Sequence, residues 1–215
     1  MVKIEMHYHT KYSSDGFITG EQLDRICESR KINCVCVTDH NSIRGALEYS
    51  KNCSVKIVVG EEIRTLQGEV IGLFISEHIP PGLSLKETIQ RIKEQHGIVY
   101  MPHPFDEVRH SAVKERDVVS VKEQIDVIEI FNSRTLNPKY NRMAAEFAAK
   151  NNIPVVVGSD AHYKYELGLS YMNMESFDDS QSFLRNIKNA KYVTGRCPLL
   201  LRAYIKGLKI LAGKK

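Results

Sequence analysis

The stretch "MHYHT" (residues 6–10) lies at the end of the first apolar, strand-like run of the chain. A spacing of two residues points both imidazoles, His7 and His9, to the same side of a β-strand, because successive side chains alternate between its faces. One such pair is weak evidence of a site, since an isolated histidine is more often a hydrogen-bonded or surface residue. The pair becomes informative when other ligand-type residues follow other strands.

Downstream of this pair, short apolar runs alternate with amphipathic helical patterns. Capping-box signatures at Thr19 and Ser84, each followed three residues later by Gln or Glu, predict two helix starts, and Gly97 predicts the end of the second helix. Pro138 suits the first turn of a later helix. The alternation indicates a parallel α/β architecture, for which both a doubly wound sheet and a barrel stay open.

The positions of polar residues favour the barrel. Six of them lie at or just past the C-terminal ends of apparent strands: His9, His40, Glu62, His103, Asn132 and Asp160. In a (β/α) barrel those ends converge on one face, where active sites are built. About seven strands are visible, so we predict an incomplete or distorted barrel.

Length and composition indicate one folded domain. The chain has 215 residues, a net charge of +4 and no apolar run long enough to cross a membrane. Five cysteines without a zinc-type CxxC pair indicate reduced thiols and a cytoplasmic location, with Cys34 and Cys36 as core residues on one strand face.

The positive charge is confined to the C-terminal tail. After Gly195 come six basic residues and no acidic one: Arg196, Arg202, Lys206, Lys209, Lys214 and Lys215. Residues 1–195 therefore carry a net charge of −2 against +4 for the whole chain, which argues against a nucleic-acid-coating surface. We predict a barrel over residues 1–195 and a basic helical tail over residues 196–215, docked through Leu200, Tyr204 and Leu208 with its lysines solvated.

Further carboxylates and imidazoles stand in short motifs along the chain. They are Asp15 in "SSDG", Asp39 and His40 in "TDH", Glu61 and Glu62 in "GEE", His103 in "PHP", and Asp160 and His162 in "GSDAH". Each motif alone is commonly a turn or a surface feature. Neutral imidazoles and carboxylates together bind borderline divalent ions, and their recurrence at strand ends predicts a metal site.

The ordered pattern HxHT…SxDG…TDHN…GxE…HP…ExxN…GSDAH resembles the PHP (polymerase and histidinol phosphatase) family of metallophosphoesterases, over about residues 1–175. The resemblance implies a distorted (β/α)₇ TIM-like barrel with two to three divalent ions, Mn, Fe or Zn, at the C-terminal ends of the strands. It also implies hydrolysis of phosphate esters in small metabolites, nucleotides or nucleic-acid ends.

Matched residue by residue, the resemblance implies three ligand groups. They are His7, His9, Glu62 and Asp160; then Glu62 again, as a bridge, with His103; and finally Asp15, His40 and His162. Within "GEE", the pattern selects Glu62, and strand alternation agrees that only one of the two glutamates points inward.

One position departs from the resemblance. Many family members have a histidine shortly after the bridging glutamate, whereas this chain has Glu69 in "GEVIGLF". A carboxylate ligand there would favour Mn²⁺ or Fe²⁺ over Zn²⁺. The alternative is a solvated glutamate in a turn.

Residues around these ligands suggest supporting roles. Glu5, Asp39 and Glu129 are candidates to accept the second N–H of a metal-bound histidine. Asn132 and Arg134 in "FNSR" are candidates for binding the substrate phosphate, and Arg109 and His110 are weaker ones on a loop. His78 and His96 match no motif, so we expect structural or exposed positions for them.

The motifs predict a mechanism without a side-chain nucleophile. The chain has neither a GxSxG elbow nor a CX₅R loop, so we expect the nucleophile to be a hydroxide bridging the two metals that Glu62 joins. A small phosphorylated metabolite or nucleotide is the favoured substrate. A 5′–3′ exonuclease acting on nucleic acid, a metal-dependent amidohydrolase and a non-catalytic metal-stabilised module are the alternatives.

Overall fold

Nine strands form one mixed sheet in the computed structural model, which describes residues 1–211 and 213, apart from the side chain of Lys209. The strands are β1 (Val2–Tyr8), β2 (Cys34–Val37), β3 (Lys56–Thr65), β4 (Gly68–Leu73), β5 (Ile98–Met101), β6 (Val127–Asn132), β7 (Val155–Gly158), β8 (Tyr171–Met174) and β9 (Lys191–Val193). Lys214 and Lys215, which we assigned to the basic tail, lie outside the described residues.

The first seven strands close into a barrel at one end. The sheet order is β7-β6-β5-β4-β3-β2-β1-β8-β9, and the His9 N–H donates to the Ala161 carbonyl at 2.8 Å, joining the end of β1 to the segment after β7. At its other end β1 pairs with β8 instead, through Val2 to Ile4. The predicted distorted TIM-like barrel is confirmed, and the doubly wound alternative is wrong.

Strand β4 runs antiparallel to both of its neighbours, β3 and β5. Only Leu66 and Gln67 separate β3 from β4, and so short a connection forms a hairpin, since a parallel crossover needs a dozen or more residues. This hairpin is the main departure from strict (β/α) alternation. We did not predict β8 and β9, which add an antiparallel flap beside β1.

The described residues contain seven α-helices, and the first six pack buried side chains against strand residues. They are α1 (Gly20–Arg30), α2 (Arg44–Asn52), α3 (Leu85–Glu94), α4 (Glu115–Val121), α5 (Pro138–Asn151), α6 (Ser180–Ile187) and α7 (Leu199–Leu211). Both predicted capping boxes are present, and Pro138 begins α5. Helix α3 ends differently from our prediction, because His96 takes the left-handed conformation (φ 57°) and Gly97 follows it. Helices α4 and α6 were not predicted.

Cys34 and Cys36 are core residues, as predicted, and Cys53 is partly exposed. Cys34 and Cys36 are fully buried in one apolar cluster with Ile4 and Met6, and all five thiols are free. Burial raises the pKa of the Cys34 thiol to about 12, so it stays protonated. These thiols therefore act as small apolar side chains.

Helix α7 docks through a different residue from those we predicted. Ile205 is fully buried, whereas Leu200 is 87% exposed, so Leu200 does not anchor the helix. Tyr204 is half-exposed and meets the ring of Tyr163 edge-on at 5.9 Å, and Leu208 is partly buried. Among the described residues, no helix combines the length and apolarity that a membrane crossing requires.

Candidate metal centre

Four donor side chains converge where β1, β3 and β7 end. The Nε2 atoms of His7 and His9 lie 3.2 Å apart, and both rings are fully buried. Glu62 Oε2 lies 3.4 and 3.3 Å from these two nitrogens, and Asp160 Oδ1 lies 3.7 and 3.4 Å from them. We call His7, His9, Glu62 and Asp160 the first donor group.

The geometry of the first donor group fits a divalent metal. Ligands around a tetrahedral ion with bonds of about 2.0–2.1 Å are separated by about 3.3 Å, close to the spacings observed here. The charges also fit. Burial opposes ionisation of Glu62, yet the neighbouring His7 and His40 hold its pKa well below the usual range. Burial disfavours a charged His7 as well, but Glu62 and Asp160 raise its pKa well above the usual value. These carboxylates therefore favour positive charge in this group, as a divalent cation would supply.

Glu129 on β6 orients the first donor group from behind. Its carboxylate lies 3.2 Å from His7 Nδ1, which leaves Nε2 facing the other donors. It also accepts hydrogen bonds from the Tyr100 hydroxyl at 2.7 Å and the His103 N–H at 2.7 Å. A Cβ at position 158 would lie 2.2 Å from Glu129 Oε1, so this close approach requires Gly158. The geometry supports the role that we predicted for Glu129.

Glu5 and Asp39 do not contact the ligand imidazoles, so that interpretation is wrong. Glu5 accepts hydrogen bonds from backbone N–H groups, including those of Ser159 at 3.0 Å and Gly168 at 2.8 Å. Asp39 accepts from the N–H and the hydroxyl of Thr10, both at 2.6 Å. Burial raises the pKa of Glu5 to about 7 and that of Asp39 to about 6. Both carboxylates pin backbone segments that carry ligands, because buried N–H groups need acceptors.

Glu62 extends the site toward His103, His40 and Glu69. His103 Nε2 lies 3.0 Å from Glu62 Oε1, and His40 Nδ1 lies 3.2 Å from Glu62 Oε2. Glu69 is 6% exposed on β4, and its Oε1 lies 3.6 Å from His40 Nδ1. Glu69 is therefore not a solvated turn residue. Burial and the charge of Glu62 raise the pKa of its carboxyl.

The neighbour of Glu62 faces the opposite way, as predicted. Glu61 accepts a hydrogen bond from the Ile79 N–H at 3.1 Å, and its other oxygen lies 2.7 Å from His78 Nδ1. His96 lies in the turn after α3. Neither His78 nor His96 lines the cavity of the donor groups, in agreement with our prediction.

Two candidate ligands, His103 and Asp160, have strained backbones. Their φ angles are 25° and 54°, in the left-handed region that most residues avoid. In the part of the chain that the structure describes, His103 Nδ1 is also a buried polar atom without a hydrogen-bond partner. Strain and an unpaired buried nitrogen at the same place are typical of a ligand site.

A further cluster forms where the loop after β1 meets the segment after β7. His162 Nε2 lies 2.7 Å from Asp15 Oδ2, and His40 Nε2 lies 3.7 Å from Asp15 Oδ1. His162 and Asp15 attract each other, which holds the pKa of Asp15 well below its usual range despite burial. The His9 ring stacks on His162 at 4.2 Å, and burial together with the charges of His162 and His40 lowers the pKa of His9 to about 3. An unprotonated His9 is free to bind a metal.

Of the four predicted phosphate-binding residues, Asn132, Arg109 and Arg134 contact residues of the donor groups, and His110 lines the same cavity. Arg109 donates to Asp160 Oδ2 at 2.7 Å and to Asn132 Oδ1 at 3.0 Å. Arg134 Nη1 lies 2.5 Å from His162 Nδ1. The guanidinium of Arg134 is also held by Glu166, whose Oε1 lies 3.6 Å from its Nε.

Sequence reasoning missed several residues of the site. Glu166 is fully buried and accepts the N–H of His162 at 2.9 Å, but no motif marks it. Ser13 donates to Asp15 at 3.1 Å, and here the signal existed, because Ser13 is the first letter of the SxDG pattern. Arg64 and Arg202 line the cavity from β3 and α7. That cavity has a volume of about 390 Å³ and also exposes His110.

The barrel and its buried imidazole–carboxylate clusters define a metal-binding domain of the PHP type. The chain is 34% identical over 197 residues to the uncharacterised protein MJ0417 of Methanocaldococcus jannaschii, covering 87% of this chain and 79% of that protein. The model of the PHP-associated family (PHP_C) matches residues 138–192. The chain belongs to the PHP family.

Solved structures share the fold at low identity. A two-domain protein of Bacteroides vulgatus that contains a predicted PHP-like metal-dependent phosphoesterase has a TM-score of 0.69 at 16% identity, covering 90% of this chain and 65% of that one. PsfC of Pseudomonas syringae PB-5123 has a TM-score of 0.73 at 14% identity, covering 98% of each chain. An amidohydrolase of Chromobacterium violaceum has a TM-score of 0.61 at 15% identity, covering 77% of this chain and 89% of that one.

Proposed function

We propose that this protein is a metal-dependent phosphoesterase that hydrolyses a phosphomonoester of a small metabolite or nucleotide. The observation that carries the proposal is one cavity in which Glu62 and Asp160 of the first donor group lie beside Arg109 and Arg134. Imidazoles and carboxylates suit divalent ions, and guanidiniums suit the oxygens of a phosphate. Phosphoryl transfer needs both kinds of charge neutralisation.

Three sets of residues would hold the ions. The family pattern assigns them to His7, His9, Glu62 and Asp160; then to Glu62, His103 and Glu69; and finally to Asp15, His40 and His162. The donor atoms that lie close together form overlapping groups: His7 with His9 and Asp160, His7 with Glu62 and His103, His40 with Glu62 and Glu69, and His9 with Asp15, His40 and His162. When bound, the ions supply positive charge for the phosphoryl oxygens and lower the pKa of a coordinated water to make the nucleophile. Glu62 is suited to join two of the sets, because its two oxygens face different partners, Oε1 facing His103 and Oε2 facing His7 and His9.

The arginines orient the substrate in this proposal. Arg134 is fixed between His162 and Glu166, so its remaining N–H groups are available to a phosphoryl oxygen. Arg109 is fixed by Asp160 and Asn132 in the same way. Guanidiniums that are already held in place lose little conformational entropy when they bind a phosphate. Their fixed positions also favour in-line attack on the phosphoryl group.

Amide hydrolysis is the second candidate, because the fold is shared with the amidohydrolase of C. violaceum. A neutral amide does not need two fixed guanidiniums, and it does not need the cluster of Asp15, His40 and His162. These features favour the phosphoesterase. Among phosphoesterases, exonuclease activity is less favoured, because residues 1–195 carry no net positive charge.

The test is a substrate screen of the purified protein loaded separately with Mn²⁺, Fe²⁺ or Zn²⁺. The panel contains phosphorylated metabolites, mononucleotides, short oligonucleotides and a set of N-acyl amino acids. We expect phosphate release from one or more small monoesters, lost in Asp160→Asn and kept in Asp178→Asn, a matched change on an exposed residue outside the cavity. Amide cleavage without phosphate release would replace the proposal with the second candidate.

A further inference from the structure

The C-terminal helix α7 brings an arginine to the metal cavity. Arg202 lines this cavity together with the donor groups, although it lies beyond the barrel that the sequence predicts. The segment leading into α7 is fixed, because the Cys197 N–H donates to the Ser133 carbonyl at 2.9 Å and its thiol lies 3.3 Å from Glu166 Oε1. Ile205, fully buried, anchors the next turn of the helix. The position of Arg202 is thus set by packing.

Arg202 differs from the other three arginines of the cavity because it forms no ion pair with a carboxylate of the described residues. Arg64, Arg109 and Arg134 each pair with a carboxylate, Glu69, Asp160 and Glu166 respectively. In the part of the chain that the structure describes, Arg202 has no carboxylate within ion-pair distance. Burial and the charges of Arg134 and Arg109 lower the pKa of its guanidinium, so the other cations destabilise its charge. A half-buried cation of this kind is stabilised by a bound anion.

With divalent ions bound, the positive charge of the cavity would exceed the negative charge of one phosphate group. Four carboxylates and four guanidiniums line it, so their formal charges cancel before any metal binds. Two or three divalent ions would then leave a large positive excess, whereas one phosphate monoester carries a charge of about −2. Arg109 contacts Asp160 and Arg134 contacts His162, and the proposed function assigns both arginines to the phosphoryl group that is hydrolysed.

We propose that Arg202 binds a second anionic group of the substrate, a carboxylate or a phosphate separate from the phosphoryl group that is hydrolysed. This proposal rests on the proposed phosphoesterase function, which it deepens by defining the substrate as a compound with two anionic groups. The C-terminal helix is then part of the substrate-binding site, and Arg202 determines specificity by adding affinity only for substrates that reach it.

The test uses three phosphonates that cannot be hydrolysed, measured by calorimetry on the Mn²⁺-loaded protein. Propylphosphonate has one anionic group, 3-phosphonopropionate adds a carboxylate, and propane-1,3-diphosphonate adds a second phosphonate. We expect at least one of the latter two to bind about tenfold or more tightly than propylphosphonate. Arg202→Ala and Arg202→Gln should abolish this preference without weakening propylphosphonate, and Arg202→Lys should restore part of it.

Lys206→Ala is the matched control, because it removes one positive charge from an exposed position one turn further along α7. It should keep the preference. The proposal is overturned if the parent protein shows no preference, if Arg202→Ala keeps it, or if Arg202→Ala weakens all three ligands equally, which would place Arg202 on the scissile phosphoryl group. Binding is measured without turnover, so failure of the phosphatase screen stays distinguishable from failure of this proposal.

Discussion

The first donor group and the pair Glu69–His40, here called the outer pair, are adjacent through the contact of Glu62 with His40, but they are supported differently. Every member of the first donor group is at most 2% exposed, and contacts from Glu129 and Arg109 fix His7 and Asp160. In the outer pair, the His40 side chain is 21% exposed, and Glu69 is also 3.6 Å from Arg64, whose side chain is 48% exposed. Arg64 lies nearest the same Glu69 oxygen as His40, so it competes with a metal for that atom, whereas Arg109 contacts Asp160 Oδ2 and leaves Oδ1 to the other donors.

This difference teaches which part of the site is preorganised. Backbone geometry and buried hydrogen bonds bring the first donor group together, so an ion there needs little rearrangement. The outer pair relies on side chains with alternative partners. We therefore expect tight binding of an ion in the first donor group and weaker binding at the outer pair, and the variants below test that order.

Glu62→Gln should have the largest effect, because Glu62 touches both regions. A neutral amide cannot bridge two cations, so we expect loss of two ions and a fall in kcat of more than about 100-fold, beyond what a supporting residue costs. Metal analysis and steady-state kinetics measure both. Glu61→Gln is the control, and it should keep metal and kcat because Glu61 faces His78. Equal losses in the two variants would show that the assignment of Glu62 is wrong.

His9→Ala should disrupt the first donor group, and it also removes a donor next to Asp15, His40 and His162. Alanine cannot replace the Nε2 ligand, so at least one ion and most of the activity should be lost. Elemental analysis of the purified variant checks this expectation, with His78→Ala as a histidine control outside the cavity. If His9→Ala keeps the full metal content of the parent protein, the first donor group is not the primary site.

Glu129→Gln tests how much the support of the first donor group contributes. It leaves every donor side chain in place and removes only the negative charge of the carboxylate that contacts His7 Nδ1. Supporting residues of this kind typically contribute about 10–100-fold to metal affinity or activity. We expect a weaker Kd for Mn²⁺ by a factor in that range, measured by competition with a chelator. Glu123→Gln, at a side chain that is 87% exposed, should leave the Kd unchanged. An unchanged Kd in Glu129→Gln would mean that packing alone orients His7.

Glu69 should give the smallest effects. Glu69→Ala should lower occupancy of the second metal and reduce kcat, while Glu69→His should keep activity and shift the preference toward Zn²⁺, because imidazole is a softer ligand than carboxylate. Metal content and kcat with Mn²⁺ and Zn²⁺ decide the question. If both variants match the parent protein, Glu69 is not a ligand, and Glu62 and His103 hold the second metal without it.

Sequence reasoning identified the candidate ligands because their motifs are local. The two-residue spacing of His7 and His9 fixes their common direction in a strand, and the ends of parallel barrel strands meet on one face. The capping boxes at Thr19 and Ser84 were predictable for the same reason, since each is completed within four residues. Strand alternation also separated Glu62 from Glu61.

Other parts depended on contacts between distant segments. Glu5 and Asp39 are carboxylates near the histidines in the sequence, as expected of residues that accept a hydrogen bond from an imidazole. In the structure, Glu5 accepts hydrogen bonds from backbone N–H groups and Asp39 accepts them from Thr10. In the antiparallel flap, β8 is only four residues long with two buried methionines, and every residue of β9 is exposed. Such elements form because β1 offers a free edge at its first residues.

The amino-acid sequence by itself determined the barrel class, the family and the set of candidate ligands, because short-range periodicity and strand-end position carry that information. Only the tertiary structure decided which atoms approach one another. It buried Glu69 beside His40, placed Glu166 behind Arg134, and docked α7 through Ile205 so that Arg202 reaches the cavity. The physical reason is that these contacts join residues far apart in the chain, and packing of the whole barrel fixes their distances.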